Sequence, residues 1–151
     1  MHATESPTGG ASKKDFLQQW FDELYIKNNE QYIRDHFAAD GKAHGLAGVI
    51  TGPDEFIPFW RGVLQTFPGC TVKVLQCIEQ GDSAFFQCEF KLPHQGKEVV
   101  TDGFGIVSFK NNQITEAQQT WNFLHLFEEM GILPADSLMA GLSGQKFVRA
   151  S

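Results

Sequence analysis

No basic stripe runs through this sequence, and its charge balance is acidic: 12 Lys and Arg against 18 Asp and Glu give a formal charge of −6. Nucleic-acid binding needs a basic footprint, so that class of partner is not expected. Long apolar runs are missing too. No apolar h-region follows the N-terminus and no segment reaches membrane-spanning length, so neither a signal peptide nor a membrane helix is expected. Cysteine is scarce, with three residues, Cys70, Cys77 and Cys88. They form no CxxC pair and are odd in number, and free thiols in a cytoplasmic protein are the simplest reading. The three Cys and five His show no metal-ligand spacing, so no metal is expected. No glycine-rich loop follows a strand and opens a helix, so no nucleotide cofactor is expected, nor any other.

What the chain has in surplus is phenylalanine, 14 of 151 residues, with three Trp besides. Aromatics bury large areas and suit a wide core or an apolar pocket. The length fits one domain. Residues 1–11, rich in Thr, Ser, Pro and Gly, read as a disordered leader, residues 12–134 as the domain, and 135–151 as a weakly patterned tail. Ser12-Lys13-Lys14-Asp15 resembles a capping box and opens a helix whose apolar stripe is Phe16, Leu17, Trp20, Phe21, Leu24 and Tyr25. A shorter helix covers about 30–37. A third opens at Gly52-Pro53-Asp54, buries Phe56, Phe59, Trp60, Val63, Leu64 and Phe67, and carries Pro58 as a kink.

From Thr71 the period becomes two and predicts four strands, about 71–79, 84–92, 98–109 and 114–121. A three-residue loop at Gly81-Asp82-Ser83 would pair Ile78 with Phe86, Val74 with Phe90 and Val72 with Leu92. A two-residue loop would instead set Val74 against Glu89, so the first register is preferred. Asn111-Asn112 suits a type I′ turn and sets Asp102 opposite Trp121. Phe123 to Met130 reads as a short helix stopped by Gly131. Helices followed by an antiparallel meander predict an α+β fold with the helices on one face.

Particular residues resemble a known family. Phe37-Ala38-Ala39-Asp40 with His44, Gly52, Phe67-Pro68, Gly81-Asp82, the run Phe109 to Glu116, and Leu126 to Pro134 resemble motifs of SnoaL-like polyketide cyclases. These belong with ketosteroid isomerase-like proteins in the nuclear transport factor 2-like superfamily. The likeness spans about 15–134. It implies a cone: three N-terminal helices packed on a strongly curved antiparallel sheet around one ligand pocket. It also implies a homodimer through the sheet's outer face, where Leu75 and Cys77 stand among Gln87 and Glu89. The family's functional groups are largely replaced. The cyclase acid/base Asp falls on Asn122. The isomerase tyrosine falls on Phe21, its base near Gly45 and its protonated Asp near Gly105.

Candidate chemistry rests on other residues. Asp102, on a face with Val100, Phe104 and Ile106 and beside Trp121, would sit among apolar groups that favour acid/base use. Alternatively it is exposed near the strand end, or turned outward by a bulge at Gly103. His44 matches a His near the family's pocket mouth and is the second catalytic candidate. Trp121 matches a pocket Trp; Asn122 orients a ligand carbonyl or simply caps the next helix. Trp20, Trp60 and Phe104 line the cavity or belong to the core. His94 reaches a family histidine only if the loop around it carries no deletion. The expected function is a pocket for a small hydrophobic, cyclic ligand. Cofactor-free isomerisation, cyclisation or hydrolysis is one possibility. The other is a binding or dimerisation module without acid/base chemistry.

Overall fold

Helix formation begins where the cap signal places it. The computed structural model describes residues 12–45 and 48–147, so the leader expected over 1–11 lies outside the described residues. Ser12 Oγ accepts the Asp15 amide at 3.0 Å and opens α1 (Lys13–Tyr25). Asn29 caps α2 (Glu30–His36). The nearly buried Glu23 ties the two helices, its carboxylate accepting from Lys27 Nζ and Asn29 Nδ2 at 2.8 Å each. In α3 (Gly52–Thr66) the proline of the first turn is Pro53, and Pro58 lies inside the helix. The Trp60 indole N–H donates to the Leu24 carbonyl at 2.9 Å and fastens α3 to α1.

The six strands are β1 (Phe37–His44), β2 (Ile50–Thr51), β3 (Thr71–Gln80), β4 (Ser83–His94), β5 (Lys97–Lys110) and β6 (Gln113–Trp121). They form one curved sheet in the order β2-β1-β6-β5-β4-β3. Each long strand lies within a few residues of its expected place. The sheet is antiparallel except where β1 runs parallel to β6, with Ala43 beside Ala117. A parallel neighbour needs a long crossover, and the chain supplies one through α3 and four strands. Leu17, Phe21 and Leu24 of α1 and Phe56 and Trp60 of α3 close over the concave face in one core with Val72, Phe86, Phe90 and Val107.

Both hairpin registers differ from expectation, and bulges are the reason. In β3–β4 the turn has two residues, with Gln80 opposite Ser83. Leu75 is then an extra residue, so Val74 meets Cys88 and Val72 meets Phe90, and the inner face stays apolar. Beyond the bulge Cys77 packs inward opposite Phe86, not on the outer face, and Ile78 turns outward opposite Phe85. In β5–β6 the Asn111-Asn112 turn holds as expected, with φ of 54° and 62°. Lys110 faces Gln113 and Phe109 faces Ile114, but Ser108 then faces Glu116, leaving Thr115 as the extra residue. Gly103, not Asp102, therefore stands opposite Trp121. One slipped residue inverts every side chain beyond it.

Asn122 caps α4 (Phe123–Glu129), and Gly131 follows at a φ of 75°. The stretch expected as a tail contains a further helix, α5 (Ser137–Leu142). Among the described residues no helix is long and apolar enough to cross a membrane.

Candidate functional site

Two inward-facing glycines of β5 shape the concave side. A Cβ on Gly103 would lie 2.4 Å from Cε3 of Trp121, and one on Gly105 would lie 2.6 Å from Cζ of Phe86. The bare backbone lets neighbouring rings rest on the strand itself. Trp121 is held there edge-on by Phe21 and Phe90, at centroid distances of 6.1 and 6.0 Å. Strand alternation brings Gln119 to the same side as Trp121.

Between these rings lie two cavities of about 30 Å³ each, both bordered by Trp20, Phe21, Phe56 and Gln119. Each has room for water but not for a ring. One of them extends to Tyr25 and Trp121 and then to Phe59, Val63 and Phe123. Those last three also wall an open groove of about 410 Å³ between α3 and α4, completed by Pro58, Gly62, Thr66, Phe67 and Phe127. Phe67 lies nearly parallel to Phe123 and Phe127, at 15° and 14°. Groove and cavities thus lie one behind the other along an aromatic track, with Phe59, Val63 and Phe123 as the walls between groove and interior.

Along that track the described polar side chains are neutral: Tyr25, Gln119 and Thr66. Burial, with a smaller contribution from Cys70, raises the Tyr25 phenol well above its ordinary pKa. It remains an O–H donor across the physiological range. No described carboxylate, imidazole or ammonium borders the groove or either cavity.

Asp102 is exposed on the outer face, where it borders an open depression with Glu89, Asn122 and His125. The expected position beside Trp121 on the concave side does not hold, because Thr115 shifts the register. His44 points outward as well, its Nε2 3.1 Å from Glu116 Oε2. Neither catalytic candidate faces the cavities, and the two are not brought together. Phe104 is 39% exposed on the outer face beside Phe85, so it does not line the interior. Trp60 is buried in the core and borders none of these spaces. Asn122 acts as a cap, its Oδ1 accepting the His125 amide at 3.1 Å. His94 sits at the β4–β5 turn opposite Lys97. Trp20 and Trp121 do line the cavities. Sequence reasoning missed Tyr25, Gln119, Phe59 and Phe123 as lining residues. Tyr25 lies four residues beyond Phe21, and Gln119 two before Trp121, so periodicity alone could have placed both.

Helices closing the concave side of an open, bent sheet define the nuclear transport factor 2-like class, with its ketosteroid isomerase-like branch. Within it, the model of the SnoaL-like domain matches residues 17–117, and the chain belongs to that family. Among solved structures, a protein assigned as a polyketide cyclase from Bacillus cereus superposes with a TM-score of 0.70 at 18% identity, over 86% of this chain and 90% of its own. A protein with a ketosteroid isomerase-like fold from Catenulispora acidiphila, in complex with trimethylamine, gives 0.69 at 17%, over 81% and 95%. TerC co-crystallised with polyporic acid gives 0.67 at 15%, over 80% and 99%. At such identities the likeness establishes the fold alone. No curated protein matches the sequence.

Proposed function

We propose that this SnoaL-like protein binds a small hydrophobic ring compound along the aromatic track and does no acid/base chemistry on it. The observation that carries this reading is the neutral lining: Asp102 and His44 both face away from the cavities. A general acid or base must come within hydrogen-bond reach of the proton it moves, and neither does. The groove between α3 and α4 has the size of a small-molecule pocket, for which roughly 300 Å³ is a lower bound. TerC is co-crystallised with polyporic acid and the Catenulispora protein is in complex with trimethylamine; a ligand inside the same fold is the corresponding expectation here.

The test is calorimetric titration with aromatic probes on the wild type and on Asp102→Asn and His44→Gln. All three should bind alike. Turnover of a bound probe that either substitution abolishes would overturn the reading in favour of catalysis.

The outer face supports a second copy as partner. Ile78, Phe85, Phe104 and Ile106 stand exposed on adjacent strands, flanked by Leu75 and Val100. Together they present on the order of 500 Å² of apolar surface, near the most that a monomer leaves uncovered and enough to seed a standard interface. We place the homodimer contact there.

A further inference from the structure

We propose that assembly through the outer face is proton-linked: Asp102 lies within the surface that a second copy covers, and each copy takes up a proton there when the two faces close. This rests on the dimer contact placed above and adds its regulation by pH. Position, charge and the change of surroundings on assembly support it.

Strand alternation sets Asp102 on the outer side of β5, between the exposed side chains of Val100 and Phe104. A molecule that covers those two also covers the carboxylate between them.

The charges around Asp102 leave it without a counter-charge. Glu89 of β4 stands directly opposite, and like charges so placed repel. Lys73 of β3 faces Glu89 from its other side, and Lys91 Nζ lies 3.6 Å from Glu89 Oε1. Both cations therefore serve Glu89. Among the described residues Asp102 has no ion-pair partner. Its main-chain carbonyl accepts the Asn122 amide at 3.2 Å. That bond anchors the start of α4, where Asn122 and His125 border the same depression as Asp102.

In the single chain this depression is open, and solvent screens the two carboxylates. A second copy removes the solvent and leaves an ionised carboxylate facing another, which is a costly form of burial. One added proton per copy removes that cost. The Asp102 carboxyl and the His125 imidazole can each carry it, and both cancel the same charge. The dimer then holds more protons than two separate chains, so the association constant rises as pH falls.

Sedimentation equilibrium at pH 5.5, 6.5 and 7.5, in 0.15 M and 0.5 M NaCl, provides the test. The wild-type dissociation constant should fall by about tenfold or more from pH 7.5 to 5.5, in both salts. Asp102→Asn, checked for folding by thermal melting, should dimerise more tightly than the wild type at pH 7.5. Its constant should change by less than about threefold over the same range. A control is needed because the sequence pI is near 5.3, so the net charge also shrinks over this range. Asp35→Asn removes an equal charge from an exposed position on α2 and should keep the wild-type pH dependence. Loss of that dependence in high salt, or an Asp35→Asn variant as flat as Asp102→Asn, would assign the effect to general repulsion and overturn the proposal. A wild-type dimer whose constant does not change with pH would overturn it too, while leaving the contact in place. Monomers at every pH would remove the contact, and this inference with it.

Discussion

Replacing Gly103 by Ala tests the strand register and the shape of the interior in one step. In the structure Gly103 faces inward opposite Trp121, and an added Cβ would come within 2.4, 2.7 and 2.9 Å of three atoms of the indole. Carbon atoms need about 3.5 Å or more, so the ring must shift by roughly 1 Å. Trp121 is wedged between Phe21 and Phe90, and the cavity beside it offers only about 30 Å³. Overpacking of this kind costs about 1–3 kcal/mol. Against it stands the smaller entropy of an unfolded chain with Ala, worth about 0.4–1 kcal/mol. The net expectation is destabilisation by about 1–2 kcal/mol, or about 2–8 °C in Tm for a chain of this length. Urea unfolding followed by tryptophan fluorescence measures it. The sign decides between registers. If Asp102 stood opposite Trp121, Gly103 would point to the outer face and Ala would stabilise through strand and unfolded-state effects. A stabilised Gly103→Ala would therefore refute the bulge at Thr115 and everything built on it. Gly105→Ala, facing the Phe86 ring and the Gln118 carbonyl, should cost at least as much.

Gly62 lies in the interior of α3 with open space around it, so Gly62→Ala should stabilise by about 0.5–1 kcal/mol in the same assay; a loss would mean that the site is crowded. Ile106→Lys places a charge in the centre of the outer apolar patch, and sedimentation should give a dimer for the wild type and the 16.9 kDa monomer for the variant. A wild-type monomer at micromolar concentration would remove the interface. Burial pushes the thiols of Cys70 and Cys88 up to about 11 and about 12. Folded values above the unfolded one mean stability that is complete below about pH 9 and declines as pH rises toward 11–12, so urea curves should show a loss of ~2–3 kcal/mol between pH 8 and 10. The double variant Cys70→Ala, Cys88→Ala should lose much less over that interval; an equal loss would assign the effect to other groups.

The helices and strands were legible because their signals are local. The Ser12 cap, the proline of the first turn of α3, the Asn111-Asn112 turn and the stop at Gly131 each act within a few residues, and each lies where the sequence places it. The bulges are not local in that sense. Leu75 and Thr115 carry no composition signal, since an extra residue in a strand is selected by the bend the sheet must make. The β3–β4 hairpin shows the consequence. A turn one residue shorter than expected and a bulge nearly cancel, and the apolar inner face is recovered although Cys77 and Ile78 exchange sides. In β5–β6 the turn is as expected, so nothing compensates for the bulge, and Asp102 falls on the outer face.

A deeper reason for that error lies in the pattern of β5 itself. Its outward residues, Val100, Asp102, Phe104 and Ile106, are larger and more apolar than the inward Thr101, Gly103 and Gly105 that alternate with them. A rule that sends bulky apolar residues inward must therefore choose the wrong side. On the concave side the volume over the strand is filled from elsewhere, by the Trp121 and Phe86 rings, and side chains on β5 would collide with them. On the convex side nothing among the described residues covers Phe104 and Ile106, which remain 39% and 52% exposed. A strand with glycine inside and phenylalanine outside is inconsistent with an isolated monomer's economy of burial, but it follows naturally if rings fill the interior and a second molecule covers the exterior. The same inversion keeps charge out of the described cavity lining: the one carboxylate in the middle of β5 faces outward with the apolar residues, and the neutral Gln119 and Tyr25 are left to meet whatever enters.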